Sequence, residues 1–299
     1  MKGYEHYNKL KHLSPSSLAC FSRCPRKYFY EKGCRLSTPV ESIAMKFGEA
    51  MHFALPHAYS GDLESALKAF DSIWEGRAGD DVRNRGKAIN LILNFINSHA
   101  EGKCIYIPQA PPKSRVKTKD CRSGYELAFG LDVGVDVPLV GRIDCVGKHR
   151  DTGKVVGVEY KTASRMGVTY FEAFQRNPQI IAYSLALETL TGERVDTFFL
   201  EVIPTQKSNE SSTLVPINFM HHCYEDFLKW VRYVYALIEL CEKSEDFPQD
   251  FNGCNSYSGY GSAGYNCPYA DLCSMSDWTE GINFYTKDDY QPFIIEQEG

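Results

Sequence analysis

The chain has 299 residues, 43% of them hydrophobic and 24% charged, with a formal net charge of −5. That composition excludes a disordered or fibrous chain and is sufficient for a sizeable core. With no basic excess overall, any contact with nucleic acid has to use local patches. No stretch reaches the ~18 apolar residues of a membrane span, and MKGYEHYNKLKHLSPSS at the start lacks a signal-type apolar run. Together these predict a cytosolic protein without membrane contact. Eleven cysteines in such a chain argue for metal or redox use of some of them, not for a disulfide framework.

The first predicted helix lies in LSPSSLACFSRCPRKYFYEKG, with Ser14 as N-cap and Pro15 at the first helical position. VESIAMKFGEAMHFALPHAYSG reads as a second helix, broken at Pro56. DLESALKAFDSIWEG and the segment from Val82 to His99 read as two more, so the first half is mostly helical. In PPKSRVKTKDCR, the residues Lys113, Arg115, Lys117, Lys119 and Arg122 stand against Asp120 alone, a basic segment read first as a solvated loop and second as a nucleic-acid contact.

GYELAFGLDVG, PLVGRIDCVGKHR and KVVGVEYKTA read as strands, the last two joined by a turn at Asp151–Gly153. A helix from Asn177 ends near Gly192. RVDTFFLEVIP and TLVPINFM return to strand, and a long amphipathic helix starts at His221. The remainder, rich in Gly, Ser, Asn and Tyr, reads as loop. The fold class is α/β, a mixed central sheet flanked by helices, with a helical N-terminal part and a cysteine-bearing tail.

Glu159 and Lys161 are two apart on a Val-rich strand and so share one face. If the turn centres between Asp151 and Thr152, Asp144 lies directly opposite Glu159. Two carboxylates that close repel unless a proton or cation stands between them, and oxygen donors favour Mg²⁺ or Mn²⁺. Lys161 on the same face then serves to orient a water or to stabilise charge on a phosphate. Glu126 on the preceding strand is a further candidate carboxylate. Arg142 and the turn from Lys148 to Arg150 are candidate phosphate contacts or solvated charges.

These residues carry a resemblance. GRIDCVG followed by GVEYKTAS resembles the D…ExK core of the PD-(D/E)XK nuclease superfamily. FGEAMH (47–52) is similar to the GxxxH motif of its RecB-like branch, and QIIAY (179–183) to the QxxxY motif. CPRKYFY (24–30) resembles the opening of the iron–sulfur members, which include AddB-type, CRISPR-adaptation and phage exonucleases. The resemblance spans roughly residues 14 to 273. It implies a restriction-endonuclease-like sheet in one nuclease domain over residues 1–299. Within it, 14–110 would be mainly helical, 120–220 the catalytic core, and 221–280 the last helix and the cysteine tail.

By position, the resemblance implies that His52, Asp144, Glu159 and the Tyr160 carbonyl ligate Mg²⁺ or Mn²⁺. Lys161 would be the catalytic lysine, and Gln179 and Tyr183 would line the site and contact DNA. It also implies that Cys24, Cys254, Cys267 and Cys273 hold a [4Fe–4S] cluster that staples the first helix to the tail, with zinc as the alternative. The twelve residues between Cys254 and Cys267 depart from the short spacing usual there, and Cys20 is a rival ligand. The expected activity is metal-dependent exonucleolytic hydrolysis of DNA, single-stranded or at duplex ends. It would serve recombination, repair or phage DNA processing in a prokaryotic or phage-infected cytoplasm, with a helicase, recombinase or single-strand-binding protein as partner. The alternatives are a non-catalytic nucleic-acid-binding or scaffold protein on the same fold, and a zinc-stapled binding module.

Overall fold

A computed structural model describes residues 2–38, 42–100, 103–118, 125–206, 211–218, 222–256, 267–288 and 293–295. Its helices are α1 (Pro15–Arg23), α2 (Pro25–Tyr28), α3 (Ile43–Tyr59), α4 (Leu63–Trp74), α5 (Arg85–His99), α6 (Val168–Glu172), α7 (Pro178–Thr191), α8 (His222–Ser244), α9 (Phe251–Ser256) and α10 (Ala270–Ser274). The strands are β1 (Leu36–Ser37), β2 (Tyr106–Pro108), β3 (Val116–Thr118), β4 (Leu127–Leu131), β5 (Leu139–Ile143), β6 (Cys145–His149), β7 (Val155–Ala163), β8 (Thr197–Pro204), β9 (Thr213–Asn218), β10 (Thr286–Lys287) and β11 (Phe293–Ile295). Among the described residues, no helix is long and apolar enough to cross a membrane.

The chain divides into two compact units. The first comprises Met1–Val40, Leu131–Val140 and Glu225–Pro292; the second comprises Glu41–Gly130, Gly141–Tyr224 and Phe293–Gly299.

In the first unit, Ser14 caps α1 through a reciprocal pair. Its hydroxyl accepts from Ser17 N–H at 3.1 Å, while Ser17 Oγ accepts from Ser14 N–H at 2.9 Å. The helix expected to run through CPRKYFYEKG breaks at Cys24, which is extended (φ −162°, ψ 110°). Pro25 causes the break, because the residue before a proline is driven out of the α region. Pro25 then starts α2, and Phe29–Gly33 close as a π-helical turn. Tyr7 stacks on Phe29 at 5.7 Å, and both rings meet Phe247; Trp278 stands edge-on to Phe29 at 5.5 Å. The tail, expected as loop, contributes the helical turns α9 and α10.

The second unit is built on a five-stranded mixed sheet in the order β2-β6-β7-β8-β9. β7 and β8 are parallel and are joined through α7; the other pairs are antiparallel. Asn177 caps α7 by accepting from Gln179 N–H at 2.8 Å, and Gly192 ends it in the left-handed region (φ 70°). Apolar residues of α3, α4 and α5, among them Phe47, Met51, Phe70, Trp74 and Phe95, form one core with Val156, Val158 and Tyr160 of β7. The expected break at Pro56 does not occur. The proline lacks one N–H, yet burial of Ala54, Leu55 and Ala58 around it carries the helix on to Tyr59. The chain up to Thr118 also holds the short strands β2 and β3, which pair with β6 and with β11.

Candidate active site

The β6–β7 hairpin has the register Cys145↔Val158, Val146↔Gly157 and Gly147↔Val156. Continued by one residue, it sets Asp144 opposite Glu159, as the turn position predicted. Asp144 itself belongs to neither strand: β5 ends at Ile143 and β6 begins at Cys145. At this interruption its side chain substitutes for the backbone, Oδ2 accepting from Tyr160 N–H at 3.0 Å. Alternation along β7 then separates the neighbours. Val158 and Tyr160 join the helical core, while Glu159 meets α7, where Gln179 Nε2 donates to Glu159 Oε1 at 2.9 Å. Lys161 Nζ donates to the same Oε1.

His52 comes from α3, its Nδ1 3.3 Å from Asp144 Oδ1. Gly48, one turn earlier, allows that approach: a Cβ there would lie 3.1 Å from Thr162 Oγ1, closer than an ordinary van der Waals contact. Gln179 Nε2 also donates to Tyr183 Oη at 2.9 Å. The Tyr183 ring stands edge-on to Phe129 at 5.5 Å. Gly141 makes room for both rings, since a Cβ there would come within 2.5 Å of Phe129 and 2.9 Å of Tyr183. His52, Asp144, Glu159, Tyr160, Lys161, Gln179 and Tyr183 are thus all brought together by the second unit.

The electrostatics are those of a site short of positive charge. Burial, then the neighbouring Asp144 carboxylate, push the Glu159 carboxyl up, and Lys161 does not offset them. Burial acts to raise Asp144 as well, but His52, Lys161 and the Tyr160 N–H together hold it well below the usual carboxylate range. Burial opposes the charge on Lys161, and the two carboxylates outweigh it, raising the ammonium. His52 is raised in the same manner, Asp144 outweighing burial.

Among the described residues, no group of three or more His, Cys, Asp or Glu side chains is arranged to hold a metal ion. Lys161 sits on Glu159, and His52 and Asp144 are turned onto each other. The donor set nevertheless fits a hard divalent cation. Glu159 is 2% exposed, and its Oε2 is buried without any hydrogen-bond partner. An orphaned carboxylate oxygen beside a second carboxylate is relieved by a cation.

Other expected contacts have partners of their own. Glu126 Oε1 stands 3.8 Å from Arg142 Nε, Arg150 Nε donates to Cys104 O at 2.7 Å, and Lys148 Nζ is 4.0 Å from Glu193. In the basic segment Lys113, Arg115 and Lys117 are exposed; Lys119, Asp120 and Arg122 lie outside the described residues. Sequence reasoning missed Tyr170 on α6, whose hydroxyl lies within electrostatic reach of Lys161 and Glu159. It also missed Glu201, His99 and Tyr106, a buried polar group behind β7. Glu201 did carry a signal, as a lone carboxylate in the apolar run FFLEVIP.

The cysteines form a separate cluster in the first unit. Burial raises the thiol of Cys273 to about 11; Arg26 opposes this, while Cys267, Cys24 and Cys254 reinforce it. Cys267 is raised by burial and likewise feels Cys24 and Cys254. These are the four cysteines named from the sequence. The rival Cys20 points its Sγ to Glu31 Oε2 at 4.0 Å, and burial, then Glu31, push it up to about 12. All ten described cysteines are free thiols. The hydroxyl of Tyr30 is buried without a hydrogen bond and lies within reach of Cys273. Cys267 and Cys273, each within electrostatic reach of Cys24 and Cys254, suit a thiolate-bound cation chemically.

A model of the PD-(D/E)XK nuclease superfamily matches residues 12–274. In structure the chain is similar to a Eubacterium rectale protein provisionally assigned as an exonuclease. The two share 15% identity with a TM-score of 0.51 over 88% of this chain and 93% of that one. SSO0001 aligns over 90% of this chain and 89% of its own at 14% identity, with a TM-score of 0.38. No curated protein matches the chain in sequence.

Proposed function

Since the chain belongs to the PD-(D/E)XK nuclease superfamily, we propose that it is a divalent-metal-dependent deoxyribonuclease, working as an exonuclease. The observation that supports this best is the pairing of Asp144 with Glu159 across the hairpin, with the idle Glu159 Oε2, Lys161 and His52 beside it. His52, Asp144, Glu159 and the Tyr160 carbonyl would hold Mg²⁺ or Mn²⁺. When bound, the ion would polarise a phosphodiester and supply a water acidic enough to attack it.

The chain's own residues do the rest. Asp144 is kept ionised by His52 and the Tyr160 N–H, so it presents a full charge at neutral pH. Lys161, beside Glu159, would set its ammonium against the phosphate oxygens or the attacking water. Gln179 holds Glu159 by one hydrogen bond and is itself braced by Tyr183. The carboxylates position and do not attack.

For the second cluster, Cys24, Cys254, Cys267 and Cys273 would hold a [4Fe–4S] cluster with a structural role. All four cysteines lie in the first unit, on α2's entry, α9 and the α10 turn. Iron and acid-labile sulfide on protein purified without oxygen test it, with about four of each per chain expected. Zinc in their place, or no metal, refutes it.

The activity is tested with end-labelled linear and closed circular DNA, each with Mg²⁺, Mn²⁺ or chelator. Asp144→Ala and Lys161→Ala run beside wild type. Metal-dependent loss of linear DNA only, with both variants inactive, is the expected result. Cleavage of circles would make it an endonuclease. No cleavage of any substrate would refute the catalytic reading.

A further inference from the structure

Behind the catalytic strand lies a polar network that the chemistry above does not use. Tyr160 points away from the site, and its hydroxyl meets that of Tyr106 at 3.1 Å. Tyr106 Oη donates to Glu201 Oε2 at 2.9 Å, and His99 Nε2 reaches the same oxygen at 3.2 Å. His99 Nδ1 closes the far end on Phe95 O at 2.9 Å, with its ring stacked on Phe95 at 3.8 Å. Exposure is 0% for Tyr106, 1% for Glu201, 5% for Tyr160 and 9% for His99.

A buried carboxylate with its partners is a poor way to gain stability, because apolar residues of equal volume serve as well or better. What such a network supplies is position: each member admits few geometries, whereas an apolar core tolerates small slides. Its placement gives that position a use. Glu201 on β8 is the register partner of Tyr160 on β7. The backbone N–H of Tyr160 holds Asp144, and Tyr160 lies between Glu159 and Lys161. Any shift of the Tyr160 ring along β8 therefore moves both carboxylates and the lysine together.

We propose that Glu201, Tyr106 and His99 are positioning residues, which act through Tyr160 to hold Asp144 and Glu159 at the separation a divalent cation needs. The proposal rests on the metal site described above and assigns it a supporting layer from α5, β2 and β8.

The experiment is calorimetric titration of the full-length protein with Mn²⁺, using Asp144→Ala as the blank, so that no nuclease activity is required. Tyr106→Phe and Tyr160→Phe each remove one hydroxyl and keep the ring; Glu201→Gln keeps the shape and removes the charge. Phe70→Leu, in the same core with its ring against Phe47 and Trp74, serves as a control for simple destabilisation. Loss of such outer partners typically weakens metal binding 10–100-fold. We expect a loss on the order of tenfold or more in Mn²⁺ affinity for the three network variants, and wild-type affinity for Phe70→Leu at a similar loss of melting temperature. KM for DNA should be unchanged while kcat at limiting Mn²⁺ falls. Should Glu201→Gln not fold, the two Tyr→Phe variants decide alone. Wild-type Mn²⁺ affinity in those variants would overturn the positioning role and leave the nuclease reading standing. No Mn²⁺ binding by wild type beyond the blank would remove the metal site itself, and the positioning role with it.

Discussion

The approach of α3 to the end of β7 makes Gly48 a sharp test of the site. A methyl group at Gly48 would sit 3.1 Å from Thr162 Oγ1, so helix or strand must give by a few tenths of an ångström. Two effects on stability oppose each other. Alanine is better than glycine in a helix interior by ~1 kcal/mol, and the crowding costs a comparable amount, so Gly48→Ala should unfold within about 1 kcal/mol of wild type. The site should feel the change more. His52 lies one turn on and reaches Asp144 at 3.3 Å, and displacement of a catalytic group by a fraction of an ångström costs ~10-fold or more in rate. Gly48→Ala should therefore lose about tenfold in kcat with little change in urea midpoint. Thr162→Ala removes the atom that is met, and the double variant should recover most of the lost rate. The assay is steady-state release of label from linear DNA, run with urea melts on the same four proteins. A Gly48→Ala protein as active as wild type would refute the close-approach reasoning, as would a double variant no better than the single.

Lys161→Met should abolish cleavage and should also leave Glu159 buried without its cation. Because burial and Asp144 already raise Glu159, the penalty should be small below about pH 4.5, where the carboxyl is protonated. It should grow as pH rises, to on the order of 2 kcal/mol at pH 8, read from urea melts at both pH values; a pH-independent difference would contradict this. His99 gives the opposite handle: burial opposes its charge, but hydrogen bonds to Cys104 and Glu201 outweigh it and raise the ring from 6.5 to about 10. A raised base contributes stability in full below its unfolded value, and that stability is lost as pH climbs through the folded one. Wild type should therefore lose stability between pH 6.5 and about 10 more steeply than Glu201→Gln; parallel curves would be the contrary result. Asn177→Ala should cost ~1 kcal/mol as a lost helix cap, and since Asn177 fixes the turn that carries Gln179, cleavage should weaken too.

Much of this site was legible because its signals are local. A short turn sets a hairpin register, so its centre between Asp151 and Thr152 was enough to place Asp144 opposite Glu159. Ser14, Asn177 and Gly192 mark helix ends through side-chain or backbone chemistry that depends on few neighbours. The failures have the reverse character. Whether Pro56 breaks α3 depends on burial around it, and the pairings β1–β10 and β3–β11 join segments far apart in sequence through two or three residues each. The end of α1 at Cys24 is a local signal as well, because Pro25 follows it and drives it out of the helical region. The network behind β7 draws its members from α5, β2, β7 and β8, and no spacing rule joins His99, Tyr106, Tyr160 and Glu201. Glu201 alone stood out, by the same oddity that drew attention to Glu159.

The first unit takes its segments from both ends of the chain, and this sets an order of events during synthesis. Every residue proposed for hydrolysis has been made once Tyr183 is added, whereas Cys273 comes 90 residues later. At ~5–20 residues per second that interval is roughly 5–20 s. For the first part of it Tyr7 and Phe29 have been translated without Phe247, against which both rings pack, and Phe29 waits beyond its end for Trp278. Even the carbonyl of Lys2 waits for the indole N–H of Trp278, which meets it at 2.6 Å. The nascent chain thus carries an exposed aromatic N-terminal segment for most of its translation. A ribosome that stops between Tyr183 and Phe247 releases a polypeptide with every side chain proposed for hydrolysis and a sticky, unpartnered end, a natural substrate for chaperones and proteases.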